Sequence, residues 1–326
     1  MNSNEKFEQI YSEILKNNMS SLEKSRSEAK NENLRHWIII ITIAIIGVIL
    51  YFILYNMYYP YDEIAELFKY VHLIIFIIVS IMITSTKRNT KTSNYKNNFK
   101  SKIIKSLLDS FGENVEYYPK NGISSAVYDK GEFENYDLYF SKDLISGTLK
   151  NNCKFSMAQA STSRQVKDND GTVTYQDSFC GIISTVEIPK TFNTALYIKK
   201  DIKDKNILIR TFNSSRFDNI RVELDSQEFE KVFDVYCSNK IIALQLLTAD
   251  IMQFLIDFYN EMHIDYEITI KNNQIYIRFM SGKMFEAADL QKFSLDKNTI
   301  YKYYKMLDFS FTLANLLSNL ITDTEI

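Results

Sequence analysis

The sequence predicts a membrane-anchored α+β protein: a two-helix transmembrane hairpin followed by a mixed, mostly antiparallel sheet domain with flanking helices. Three observations predict it. Two apolar runs, at about 37–58 and 67–84, are joined by a short acidic loop. Basic residues flank the outer ends of that pair. Beyond them the apolar pattern turns from helical spacing to alternation and partly back again.

The first run, from Trp37 to Tyr55, carries no charge. Its apolar residues cover every side of a helical wheel, which leaves no face for water. At about 1.5 Å per residue it crosses a hydrocarbon core of about 30 Å. Trp37 opens it, and Tyr55, Tyr58, Tyr59 and Tyr61 close it, as suits rings that favour the two interfaces. It begins too late, and behind too many acids, for an ordinary secretory signal peptide. The second run, Val71 to Thr84, is shorter. It reaches spanning length when Leu67, Phe68 and Tyr70 join it and Lys69 snorkels to the interface.

The flanks set the orientation. Arg26, Lys30 and Arg35 precede the first run, Asp62, Glu63 and Glu66 fill the loop, and Lys87, Arg88, Lys91, Lys96, Lys100, Lys102 and Lys105 follow the second. The positive-inside rule then places both termini in the cytoplasm of a multi-pass cell (inner) membrane protein, with the lipid bilayer as its first partner. The basic segment 85–105 reads foremost as this topology signal, and it also suits anionic headgroups. Residues 1–36 read as a cytoplasmic amphipathic helix, because Phe7, Ile10, Tyr11, Ile14 and Leu15 recur at helical spacing among charges. Packing within the chain is the default for that stripe; a second copy or the membrane surface are the alternatives.

Residues 106–326 are expected to form one cytoplasmic α+β domain, a size that 326 residues in all permit. Phe99, Ile103, Ile104, Leu107, Leu108 and Phe111 make a helix that Gly112 ends. Short strands follow at Asp137–Phe140, Leu144–Leu149 and Cys153–Met157. A turn at Asp168-Asn169-Asp170-Gly171 leads to Thr172–Tyr175, then Phe179–Ile188 with Gly181 as a bulge, Ala195–Ile198 and Ile207–Ile209. With no crossover helices between them, antiparallel pairing is expected. Ser226–Lys231 reads as a short helix, and Ile241–Leu247 and Ala249–Tyr259 as two more with Thr248 as N-cap. Glu267–Ile270 and Gln274–Phe279 form a hairpin about Asn272-Asn273, and Asp296–Ile321 closes the chain as a helix.

Val222-Glu223-Leu224-Asp225-Ser226, Phe229-Glu230-Lys231, Phe233, Val235-Tyr236, Ala243, Leu246-Leu247-Thr248 and Met252 resemble the signature of an uncharacterised bacterial membrane family, domain of unknown function 3137. Tyr139, Asp143, Gly147, Phe179 and Gly181 resemble its upstream pattern, which would extend the resemblance over most of 35–320. The family often has proline after the threonine, where this chain has Ala249. The resemblance implies a fold and a membrane location and carries no activity, so no catalytic residue follows from it.

Composition and motifs narrow the function. A net charge of −2 gives no basic excess for nucleic acid. Cys153, Cys180 and Cys237 are isolated thiols that suit a reducing compartment. His36, His72 and His263 lack zinc-ligand spacing, and no metal or cofactor is expected. Neither GxSxG, GxxxxGK[ST] nor GxGxxG occurs. Phe133, Tyr136, Tyr139 and Phe140 read as core rather than as a stacking platform. Asp225, Glu228, Glu230 and Asp234 are the candidate functional surface, since clustered carboxylates can move protons or hold a cation, although they also decorate any exposed helix. The leading expectation is a non-enzymatic binding or scaffold domain tethered to the membrane, with a protein partner or a homo-oligomer. The alternative is a membrane-tethered enzyme with an unrecognised site.

Overall fold

The computed structural model describes residues 3–58, 74, 90–111, 113–150, 152–168, 170–201, 220–284, 286, 290 and 296–323. The expected second span at 67–84, apart from Ile74, the strand at 207–209 and the Gly112 cap lie outside the described residues. The chain divides into two units: Tyr11–Lys102 with Ala287–Asp296, and Met1–Ile10 with Ile103–Glu286 and Lys297–Ile326.

Two helices dominate the first unit, α1 (Ser3–Tyr58) and α2 (Thr90–Phe111), each of which continues into the other unit. Ile14, Leu22 and Ala29 of α1 are buried, as are Tyr95 and Phe99 of α2. Lys102 Nζ donates to Ser21 Oγ at 2.7 Å and Lys91 pairs with Glu32 at 2.8 Å. As the number rises along one helix it falls along the other, so the pairing is antiparallel. The stripe expected in residues 1–36 therefore packs within the chain.

From Trp37 onward α1 changes character. Ile38, Ile39, Ile41, Ile45, Ile46, Val48, Ile49, Leu50, Phe52 and Ile53 are all exposed. Among the described residues α1 is the single unbroken helix long and apolar enough to cross a membrane, and none of its apolar window is buried.

The α+β unit is built on an antiparallel sheet. In chain order the elements are β1 (Asn114–Tyr118), α3 (Ser125–Lys130), β2 (Leu138–Thr148), β3 (Lys154–Lys167), β4 (Val173–Lys200), β5 (Ile220–Val222), α4 (Gln227–Glu230), β6 (Phe233–Cys237), α5 (Lys240–Leu246), α6 (Ala249–Met262), β7 (Tyr266–Phe279) and α7 (Lys297–Asp323). Neighbouring strands run β1-β2-β3-β4-β6-β5, and β7 pairs with β4. The two segments expected at 137–140 and 144–149 are one strand, β2, bent at a bulge where Asp143 has φ 60°.

β7 is folded on itself. Arg278 and Glu267 are eleven residues apart yet joined at 2.8 Å, where a straight strand would separate them by about 36 Å. Met280 N donates to Asp265 O at 2.8 Å, closing the open end of the hairpin. Asn272, with φ 56°, sits at its tip, a conformation asparagine tolerates better than most residues. The two arms of this hairpin pair with different parts of β4: Phe279 with Ile182, and Ile268 with Ile198. β4 therefore passes around the hairpin tip, and its two arms flank the β7 pair. The hairpin about Asn272-Asn273 is as the sequence predicts, whereas the segments expected separately at 172–175, 179–188 and 195–198 belong to one strand, β4, whose register with β7 shifts between Glu187 and Leu196.

Gly181 keeps regular register with Ala160, so it is no bulge. A Cβ there would overlap the carbonyl oxygen of Phe279, and one at Gly147 the carbonyl of Asn114. Both glycines let neighbouring strand backbones approach.

One sheet face carries the main core. Phe258 of α6 and Phe309 of α7 pack on Tyr266 and Phe279, and Phe311 on Phe155. Thr248 caps α6 by accepting from Ile251 N. α5 and α6 together are apolar enough for a membrane, but they are bent by 68°, and α6 buries Ile251, Leu255, Ile256 and Phe258. That is the position of a core helix. The other face is covered by residues 119–137, which include α3.

Candidate functional site

The covered face holds a row of charges. Arg278 and Glu267 face each other across the β7 hairpin at 2.8 Å, Glu267 pairs with Lys199 of β4 at 3.1 Å, and Lys199 stands opposite Asp234 of β6 in register. Arg221 of β5 extends the row, with Nε 2.7 Å from Asp234. From the covering segment, Glu134 Oε1 lies 3.3 Å from Arg278 Nη1. Signs alternate from Glu134 through Arg278, Glu267, Lys199 and Asp234 to Arg221. Arg278, Lys199 and Asp234 are buried. Charges can remain in such a place only when each has an opposite neighbour.

The covering segment enters as a wedge. Tyr128 and Phe133 are buried in a cluster with Ile123, Ala158, Ala160, Phe179, Ile183 and Tyr276. Lys199 Nζ lies 5.0 Å from the centre of the Phe133 ring and Arg278 Cζ 5.1 Å, so the ring sits between two cations. On one side of Phe133, Glu132 accepts from Lys271 and from Tyr197 OH. On the other, Glu134 Oε1 accepts from Thr162 Oγ1 at 2.5 Å and from Ser178 Oγ at 3.3 Å. Glu132 has φ 50°, uncommon for a residue with a Cβ. Thr269 Oγ1 holds the Gly131 carbonyl at 2.6 Å.

Electrostatics follow from these partners. Burial raises the Glu267 carboxyl, but Lys199 and Arg278 outweigh it and hold the group below the usual carboxylate value. Burial also raises Glu132, and the hydrogen bonds from Lys271 and Tyr197 more than reverse it. Burial alone would lower Arg278; Glu267, the Tyr128 hydroxyl and Glu134 raise it instead. Among the described residues its strands contribute two more basic side chains than acidic ones once Lys271 is included. Glu132 and Glu134 balance that excess.

The carboxylates singled out in the sequence separate. Asp225 and Glu228 are exposed. Glu230 Oε1 accepts from Leu224 N at 2.9 Å, and Ser226 caps α4 by accepting from Phe229 N. Asp234 alone joins the charge row. Among the described residues no group of three His, Cys, Asp or Glu side chains could hold a metal ion. Phe133 and Tyr139 pack in or against the aromatic cluster and Tyr136 against its edge, whereas Phe140 is 60% exposed. The core reading fails for Phe140, because it lies on the opposite face of β2 from Tyr139. The residues missed by sequence reasoning are Glu132, Glu134, Lys199, Arg221, Glu267, Lys271 and Arg278. Arg278 could have been found: it interrupts the apolar run Ile275-Tyr276-Ile277-Arg278-Phe279 in a strand buried on both faces.

Residues 177–319 match the family described as Protein of unknown function (DUF3137). The DUF3137 stretch contains the signature residues from Val222 to Met252, but Tyr139, Asp143 and Gly147 precede it, so the match is narrower than the expected 35–320. It also contains Lys199, Asp234, Glu267 and Arg278, whereas Glu132 and Glu134 come from outside it. No curated protein matches the chain. The crystal structure of the mycobacterial trehalose monomycolate transport factor A, TtfA, is similar over 64% of this chain and 95% of that one, at 10% identity and a TM-score of 0.33. A likeness that distant carries no argument here.

Proposed function

We propose that this chain is a membrane-anchored, non-enzymatic protein whose α+β unit binds a partner on the cytoplasmic side. The observation that carries the anchor is the uncovered run of α1: ten apolar side chains between Ile38 and Ile53 are exposed and Ile40 and Ile43 are half-buried, an arrangement stable in hydrocarbon and costly in water. The antiparallel pairing supports a second crossing. Lys91 lies beside Glu32, so by Thr90 the chain is back at the level from which α1 departs. A first crossing then requires a return between 59 and 89, where the second apolar run stands in the sequence. The basic residues on either side of the pair support cytoplasmic termini. Binding is favoured over acid–base catalysis because, among the described residues, the charge cluster beneath 119–137 has its acids and bases paired and is covered.

Membrane fractionation with an alkaline carbonate wash tests the anchor: the chain is expected in the pellet, and release into the wash overturns it. A reporter active only outside the cytoplasm, fused after Ile326, is expected to stay silent. Crosslinking and pull-down from detergent extracts tests binding; no reproducible protein or lipid partner overturns that half.

A further inference from the structure

We infer that the sheet face beneath residues 119–137 is a binding site for an acidic–aromatic peptide segment of a partner protein, and that Glu132-Phe133-Glu134 fills it in cis as a releasable lid. The inference rests on the binding reading above, and not on the anchor.

Charge complementarity is the first ground. Among the described residues, Arg278, Lys199, Lys271 and Arg221 share the carboxylates Glu267 and Asp234 on the sheet side, with Phe179 and Ile183 at the floor, and Glu132 and Glu134 of the lid add two more. Phe179 already stacks on Arg278, with the guanidinium carbon 5.1 Å from the ring centre. The lid matches that surface with one carboxylate on either side of a ring. Peptide recognition commonly uses such a pairing of cations with acids and an anchored aromatic.

The second ground is how the lid is held. Between Ser124 and Asn135 its described ties to the sheet each use at least one side chain: Thr269 to the Gly131 carbonyl, Arg278 to Tyr128, Tyr197 and Lys271 to Glu132, Thr162 and Ser178 to Glu134, and Arg164 to the Asn135 carbonyl. Strand pairing does not extend into it. Tyr128 and Phe133 add apolar contact to this seam, but no backbone ladder between Ser124 and Asn135 has to break for it to open. Third, Arg278 Nε is buried with no acceptor among the described residues. The cis occupant leaves unused a donor that another peptide can take.

The test uses the full chain in detergent. The probe is a fluorescein-labelled peptide with the sequence of residues 125–137, Ser-Ala-Val-Tyr-Asp-Lys-Gly-Glu-Phe-Glu-Asn-Tyr-Asp. It is expected to bind the E132Q/E134Q variant about tenfold or more tighter than the unaltered chain. A peptide with both lid glutamates changed to glutamine should lose that gain. Hydrogen exchange on the unaltered chain is the second measurement and does not depend on the variant folding. Residues 125–137 should exchange through local opening, well ahead of β3 and β7. Equal binding of acidic and amidated peptides, binding to neither protein, or exchange of 125–137 only in step with those strands overturns the proposal. Carbonate extraction and pull-down read the anchor and partner binding separately, so a failure here is distinguishable from theirs.

Discussion

Arg278 and Glu267 stand opposite each other on the two arms of one hairpin, 2.8 Å apart and almost wholly withdrawn from water. Each also serves a second partner, Glu134 for the arginine and Lys199 for the glutamate. Removing either leaves charges stranded on both sides of it.

Arg278→Leu is therefore expected to cost about 3–5 kcal/mol, since Glu267 and Glu134 would lose their cation in a buried setting. Arg278→Lys keeps the charge but not the planar fork and should cost less. Thermal unfolding of the full chain in detergent orders the variants; an Arg278→Leu melt matching the unaltered chain would contradict the assignment.

Gly181→Ala tests strand packing without altering charge. The added methyl meets the Phe279 carbonyl, which is backbone and cannot swing away. A loss of about 1–3 kcal/mol is expected. Gly171→Ala is a different control: nothing stands near its Cβ, and any loss there comes from its φ of 79°.

Acid should loosen the lid. The Glu132 and Glu267 carboxyls lie below their ordinary value of 4.5 in the folded chain, so their stabilisation is complete above that value and disappears as pH falls through the folded values. Base acts on the tyrosines. Burial pushes the Tyr139 hydroxyl up to about 12, and burial with the Asp129 hydrogen bond does the same for Tyr136. Their contribution is complete below 10 and declines as pH climbs toward 12. Hydrogen exchange of residues 125–137, measured from pH 7 down to pH 4, should accelerate beyond the intrinsic trend at the acid end.

Ile45→Arg places a charge near the middle of the uncovered run of α1. Insertion should become less favourable by about 2.5–3.5 kcal/mol, raising the carbonate-soluble fraction. Ser93→Arg on the exposed side of α2 should leave that fraction unchanged.

Much of the fold was legible because local chemistry and tertiary environment agree. Ser226 and Thr248 cap helices as their positions suggest, and the Asn272-Asn273 pair turns the hairpin. The charge row was not legible as a row, because its members are spread from Glu134 to Arg278 and, Arg278 apart, each read singly resembles an ordinary surface residue. Only strand register brings them together, and register depends on β4 passing around the tip of β7. Asp234 was found for its neighbours in sequence, yet it matters through Lys199, across the sheet. Phe140 misled for the opposite reason: it alternates out of phase with Tyr139 on the same strand.

That wrapped arrangement also bears on how the chain acquires its shape. Tyr266–Phe279 is inserted between two arms that a ribosome finishes much earlier. Until Phe279 has emerged, Ile182 and Ile198 lack their neighbour, and the halves of the domain have nothing to join them. Non-local pairing of this kind is slow. The apolar run of α1, being local and early, is then made before the sheet can close.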